Sequence, residues 1–425
     1  MRITILTVGT RGDLEPFVAL ARGLLRAGHA VRLAAPEQFE REILDQIAVS
    51  YTPVHLDLHA FFRSELGQQV MAGDPVALKR ATREFFVPKQ RAILDDAWAA
   101  AQDADLLIYN EGYYAAGCMA EALDIPGIIA SPIPFLTPTP SFPYPPFTTR
   151  DLGGFLNRQS YRLFQLGTLR NARPLQAWYR ETFERPPPSR FRNHLYRSGN
   201  PVPVLYCASR HLIPVARGWH ARVCLSGYWF SDDPPTWSPP EALEQFLSAG
   251  PPPVYIGFGS MSGGTDTEHR TRTLVSALER AGVRGVLATG WGGLAELPSL
   301  PPTVHAIEGA PHDWLFPRVS AVVHHGGAGT VMRGVRHGKP MLVCPIADDQ
   351  PFWGGRIHAL GLGPPPIAQY SRREFTVDRL AAAFHSLVND TSLQRRAREL
   401  AERVNAEDGV ATAVAFVTDV GTSPS

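Results

Sequence analysis

The segment His324-His-Gly-Gly-Ala-Gly-Thr330 carries the strongest local chemistry in the chain. It follows an apolar run and opens a helical pattern. Small residues there let a ligand approach the backbone, and the unpaired N–H groups of a helix start form an anion site. His325, placed at that start, could donate a hydrogen bond to a phosphate oxygen. The segment is neither a Walker loop, which needs Gly-Lys-Ser/Thr, nor GxGxxG; taken alone, a tight structural turn stays open as its reading. One helix and one strand later comes Pro345-Ile-Ala-Asp-Asp-Gln350. The Asp349 carboxylate beside the Gln350 carboxamide supplies several acceptors and donors, suited to a ring of hydroxyls; an exposed acidic turn is the alternative. In Gly257-Phe-Gly-Ser-Met261, Gly259 and Ser260 offer backbone and hydroxyl donors to a second phosphate. Ala310, Pro311 and His312, in Gly309-Ala-Pro-His-Asp-Trp314, could hold a nucleobase edge by main-chain groups, with Trp291 stacking on that base.

At the other end of the chain, Gly9-Thr-Arg-Gly-Asp13 closes the first apolar run. Asp13 has two readings. It could serve as a general base facing a ligand, or it could N-cap a helix from Leu14 that carries Glu15 and Pro16 in its first turn. Glu111, beside Asn110 at a later strand end, could line a pocket. The stretch 131–147 (SPIPFLTPTPSFPYPPF), which holds Pro134, Phe135 and Phe142, alternates proline with aromatics. It reads equally as a packing loop or as a wall for an apolar substrate.

These residues need elements to hold them. Residues 3–8 form a continuous apolar run, as a strand buried on both faces should. Phe17, Leu20, Ala21, Leu24 and Leu25 then recur at helical spacing up to a C-cap at Gly28, and 30–34 is the next strand. Further strands are expected at 105–109 and 127–130 around a helix at 115–123. The alternation restarts at Pro253: strands at 254–258, 284–289, 303–307, 321–324 and 341–344, with helices at 268–281, 329–337 and 352–360. Strands alternating with helices in both halves imply an α/β fold of two doubly wound, Rossmann-like domains facing a central cleft, where strand C-termini place the ligand. The Pro-rich stretch after Ser231 cannot be a helix interior or a central strand. The expected division is therefore an N-terminal domain at 1–230, a linker at 231–247 and a C-terminal domain at 248–425, whose last helix could return to the first domain.

Composition narrows the field. The 425 residues suggest roughly two to three domains, and 44% hydrophobic with 19% charged residues rules out wholesale disorder. A net charge of +1 gives no global pull toward nucleic acid or anionic lipid. Residues 150–197 carry ten arginines interleaved with aromatics; a solvated helical face is the default reading over a membrane-surface patch. The four cysteines lack metal or disulfide spacing, which fits a reducing cytoplasm. The N-terminus reads as a strand and not a signal peptide, and no apolar stretch approaches a bilayer span.

Taken together, these motifs resemble nucleotide-sugar-dependent glycosyltransferases of the GT-B fold, most closely the sterol 3-beta-glucosyltransferases and the bacterial antibiotic branch. The likeness runs through Gly9 to Phe17, Gly227-Tyr-Trp-Phe230, Pro252 to Met261, and the donor signature from Ala310 through His325–Thr330 to Asp349-Gln-Pro-Phe-Trp353. It implies that the second domain binds the sugar nucleotide. His325 and the amides of Gly327, Ala328, Gly329 and Thr330 would hold the diphosphate with help from Ser260. Asp349 and Gln350 would hold the sugar, a pair typical of UDP-hexose donors, commonly glucose. It also implies that Asp13 is the general base, in the slot where plant relatives have His, with Thr10 and Arg11 touching phosphates or orienting the acceptor. The reaction would be an inverting, metal-independent displacement with UDP-sugar as substrate and no cofactor. The acceptor would be a lipophilic hydroxyl compound, a sterol, triterpenoid or polyketide-type natural product, met by Glu111, Pro134, Phe135, Phe142 and Trp353. The donor signature departs from the plant Trp-x-x-Gln, which leaves base recognition open, and Asp348 has no assigned role. A sugar-nucleotide epimerase and a non-catalytic nucleotide-sugar-binding helper are the alternatives. A cytoplasmic monomer with at most peripheral membrane contact is expected.

Overall fold

The structure, a computed structural model, describes residues 1–71, 74–113, 115–163, 166, 172–187, 189, 193–197, 199–213, 218–231, 237–259, 266–290 and 293–423. The chain divides into two compact units: Met1–Ala60, Leu78–Ser231 and Glu407–Ser425 form one, and Phe61–Ala77 with Asp232–Ala406 the other. The segment expected as a linker differs in part: Glu241–Ser248 is a helix of the second unit, begun by Glu241 and Glu244 in its first turn after Pro240, as acidic residues at a helix start favour.

The first unit is built on a seven-stranded parallel sheet. Its strands are β1 (Arg2–Leu6), β2 (Ala30–Pro36), β3 (Ser50–Val54), β4 (Leu106–Tyr109), β5 (Gly127–Ser131), β8 (Val204–Tyr206) and β9 (Val223–Leu225), in the order β3-β2-β1-β4-β5-β8-β9. A two-stranded antiparallel ribbon, β6 (Tyr196–Arg197) with β7 (Asn200–Pro201), stands apart. β1 pairs with both β2 and β4, Ile3 lying opposite Val31 and Leu106. Ile3, Ile5 and Leu6 are almost wholly buried, as a central parallel strand covered on both faces requires. β3, β8 and β9, absent from the sequence expectation, are short or carry Pro53, so their apolar runs are too brief to register.

The second unit holds β10 (Val254–Gly257), β11 (Gly285–Ala288), β12 (Val304–Ile307), β13 (Ala321–His324) and β14 (Met341–Val343), all parallel, in the order β12-β11-β10-β13-β14. Val254, Ile256, Leu274, Leu278, Leu287 and Phe384 form its core. They join the sheet to the helices Thr267–Ala281 and Val377–Asn389.

The last helix, Gly409–Thr422, belongs to the first unit and packs on the helix Arg11–Arg26. Gly23 makes the approach possible: any Cβ there would collide with Val410 and lie 3.2 Å from Val414 Cγ2.

Candidate active site

In each sheet the strand order reverses beside its first strand, between β1 and β4 in one unit and between β10 and β13 in the other. Loops leaving the carboxyl ends of such neighbours turn to opposite faces and leave a crevice, the usual ligand position in an open α/β sheet.

At the β1–β4 crevice the helix begins at Arg11 with Thr10 as its N-cap, so Asp13 is the third helical residue. The capping reading, with a helix from Leu14, is thereby corrected. The Asp13 carboxylate reaches back to accept from the Thr10 amide at 2.8 Å and the Thr10 hydroxyl at 3.1 Å, satisfying an amide the helix leaves orphaned. Gly9, at φ +145°, makes room for it; a Cβ there would sit 2.6 Å from Asp13 Cγ. The backbone of the turn is pinned as well. Thr7 Oγ1 donates to the Asp13 carbonyl at 3.0 Å, and Asn110 Nδ2 donates to Thr7 Oγ1 at 3.1 Å and to the Val8 carbonyl at 2.6 Å. Asn110 is buried, and half-buried Glu111 follows it in the turn Glu111–Tyr113. Arg11 is exposed and pairs with Glu15 at 2.7 Å and Glu42 at 3.0 Å, so contact with a phosphate would compete with two carboxylates.

Sequence reasoning named Asp13 and Glu111 but passed over Thr7 and Asn110 as supports. Their signal is polarity in an apolar setting: a threonine ending the first strand run and an asparagine ending the fourth.

At the β10–β13 crevice, Gly257 lies opposite His324 in the ladder. His325 follows, with its ring lodged between two glycines. A Cβ on Gly327 would meet His325 Nε2 at 2.7 Å, and one on Gly259 would meet Cε1 at 3.0 Å. His325 Nδ1 is buried and finds no hydrogen-bond partner among the described residues, and burial pushes the ring's pKa down to about 4. The imidazole is therefore neutral near pH 7 and offers one N–H and one lone pair. His324, fully buried, accepts from the Gly326 amide on Nδ1 at 3.1 Å, which leaves its proton on Nε2. Gly327 caps the helix Ala328–Arg336; no side chain among the described residues caps it, and the first helical bond runs from Val331 N to Gly327 O at 3.0 Å. The amides of Ala328, Gly329 and Thr330 thus have no partner within the helix.

Beyond β14, Asp348 turns the chain at φ +59° and Asp349 caps the helix Gln350–Ala359. Asp349 is 8% exposed and accepts from Trp353 Nε1 at 2.7 Å. Gln350 is also buried, its Oε1 accepting from the Ile346 amide at 2.8 Å. Its carbonyl end holds the loop in place of a ligand. Trp353 requires a correction: it is wholly buried, so it cannot line an acceptor pocket, and it acts instead on the carboxylate of Asp349. Pro134, Phe135 and Phe142 are likewise buried. Their loop is tied down by Tyr206, whose hydroxyl accepts from Thr137 N at 2.8 Å, and by Trp219 Nε1 donating to Thr137 O at 3.2 Å. The packing reading describes these three residues, while Phe147 at the end of the stretch is exposed.

After β12, Ala310 and Pro311 are half-buried and His312 stacks on Phe316 with ring centroids 4.4 Å apart. Asp313 accepts from His337 Nε2 at 2.8 Å and Arg333 Nε at 3.3 Å. Burial alone would raise its pKa, but these partners and Arg336 hold it down at about 2. Ser260 and Trp291 lie outside the described residues.

Comparison with known proteins places this geometry. Residues 3–137 match the glycosyltransferase family 28 N-terminal domain, and residues 284–416 match the C-terminal domain of erythromycin biosynthesis protein CIII-like. Among solved structures, a glycosyltransferase of kitacinnamycin superposes with TM-score 0.69 at 22% identity, over 99% of this chain and 98% of that one. The calicheamicin glycosyltransferase CalG4 gives 0.69 at 19% identity, over 100% and 99%. The fold is that of the GT-B glycosyltransferases. A sterol 3-beta-glucosyltransferase of Arabidopsis thaliana is 34% identical over 97% of this chain and 64% of its own length; a second from that plant is 33% identical over 97% and 67%. One from Emericella nidulans is 34% identical over 97% of this chain and 29% of its own. The chain belongs to the glycosyltransferase family that holds the sterol 3-beta-glucosyltransferases, and it spans about two thirds or less of the length of these relatives.

Proposed function

We propose that this protein is an inverting glycosyltransferase that moves a hexose, glucose in the first instance, from a UDP-sugar to a hydroxyl of a lipophilic acceptor of the sterol, triterpenoid or polyketide kind. The observation that carries the reading is the start of the helix Ala328–Arg336, which no side chain caps among the described residues, beside a neutral His325 whose Nδ1 finds no partner among them, in a chain 34% identical to a sterol glucosyltransferase over 97% of its length. The diphosphate rests on the amides of 327–330, where the helix dipole favours negative charge, and His325 adds a hydrogen bond. Asp349, held by Trp353, accepts from sugar hydroxyls. The acceptor oxygen attacks the anomeric carbon as Asp13 takes its proton. The bond to the diphosphate oxygen breaks with its electron pair leaving on UDP, and an α-linked donor yields a β-glycoside. The leaving charge is met by preorganised dipoles.

The test incubates the protein with UDP-glucose and a panel of sterols, flavonoids and macrolides, reading products by mass spectrometry and anomeric configuration by NMR. A β-glycoside is expected. Free epimer from UDP-glucose alone would point to an epimerase instead. Asp13→Ala should cost at least about 10²-fold in turnover while UDP affinity holds; unchanged turnover would remove Asp13 from the chemistry.

A further inference from the structure

Apolar side chains scattered singly over a surface need no explanation, but here they are concentrated. Of the eleven large hydrophobic residues exposed among the described residues, five fall within positions 147–166. In the helix Gly154–Ser160 and just beyond it, Phe155 is 74% exposed, Leu156 54%, Leu163 39% and Leu166 58%. Phe155 and Leu156 lie on the helix itself, which closes at its C-cap Tyr161, and Leu163 and Leu166 follow beyond it in the chain. Two polar residues of the same helix are locked inward: Asn157 Nδ2 donates to the Pro140 carbonyl at 3.0 Å and to Asp151 Oδ1 at 2.7 Å, and Ser160 Oγ accepts from the Tyr144 amide at 2.7 Å. Rotating the helix to hide its apolar face would break these bonds, so the outward display is fixed by the fold.

Arg158 and Arg162 are exposed on the same stretch, neither pairs with a carboxylate among the described residues, and no acidic residue occurs between 154 and 166. Rigid apolar side chains flanked by unpaired arginines are the pattern of a face that lies in a membrane interface.

We propose that this face docks the protein on an anionic lipid surface, Phe155 and Leu156 entering the headgroup–acyl boundary while Arg158 and Arg162 meet lipid phosphates. The proposal does not depend on the glycosyl-transfer reading.

The test is co-sedimentation of the full chain with vesicles of phosphatidylcholine alone or mixed with phosphatidylglycerol. Binding to the mixed vesicles, weakening as salt rises, is expected. Arg158→Ala with Arg162→Ala should weaken it roughly thirtyfold, and Phe155→Ser with Leu156→Ser at least about tenfold. All four positions are exposed, so circular dichroism and melting should match the parent. Sedimentation that ignores lipid charge, or variants that bind as the parent does, would overturn the proposal. So would self-association without vesicles that the Phe155/Leu156 pair of substitutions abolishes, which would assign the face to a second copy.

Discussion

Asp13 can be both a capping carboxylate and the proposed base because the two roles ask for the same placement. Its reach back to Thr10 fixes where the carboxylate stands, and Gly9 leaves room for it. Gly9→Ala should therefore push Asp13 from its place and force a left-handed φ on a residue with a Cβ, a strain of about 1–3 kcal/mol. Turnover is expected to fall while UDP affinity stays near that of the parent; kinetics beside calorimetric UDP titration would check this, and equal losses in both would count against it. His325 carries a pH signature. Its folded pKa of about 4 lies below the ordinary histidine value near 6.5. Between those values the unfolded chain binds the proton and the folded one does not, so stability is fully present above about pH 6.5 and is lost as pH falls through about 4. Urea unfolding of the parent should weaken more steeply over that window than that of His325→Gln; identical slopes would sink the assignment.

At the scale of elements, the helix Gln350–Ala359 shows how a core residue serves a site. Trp353→Phe keeps the ring but withdraws the N–H from the buried Asp349, leaving its carboxylate short of a donor at a cost of about 1–3 kcal/mol. The expected kinetic result is a raised KM for UDP-glucose with a smaller change in kcat. The Asp313 carboxylate ties the short helix His312–Leu315 to the helix Ala328–Arg336 through Arg333 and His337. Held near 2, below the usual carboxylate value, it contributes stability that is present above about pH 4 and lost as pH falls toward 2. Hydrogen exchange should show the Ala328–Arg336 helix loosening over that range in the parent, and Asp313→Asn should loosen it already at neutral pH.

At the scale of the molecule, the chain visits the first unit a last time. Ala413, Val417 and Val420 of the helix Gly409–Thr422 are buried against that unit's own elements. Burying a valine-sized side chain stabilises by roughly 1.5–3 kcal/mol, and domains rest on margins of about 5–15 kcal/mol. Deleting Glu407–Ser425 should make the first unit marginal while the second keeps its protection. Hydrogen exchange followed by mass spectrometry would read this directly, and uniform loss across both units would contradict it.

The strand and helix alternation was legible because central parallel strands are apolar throughout and helices repeat at 3.6 residues; β1, β10 and β13 were located within a residue or two. Asp13, His325 and Asp349 were legible as candidates because they follow strand ends in small-residue turns. What the order of residues could not carry is whatever depends on contacts between distant segments. Trp353, Phe135 and Phe142 look like binding surfaces in one dimension, yet packing buries them. Asn110 gains its part only by standing beside Thr7, 103 positions away. Which residues of the arginine- and aromatic-rich stretch 150–197 face outward is set by distant contacts: the inward bonds of Asn157 and Ser160 leave Phe155 and Leu156 exposed. Local periodicity selects an element's type and its apolar stripe; which side chains end in water is decided by the partners the fold brings to them.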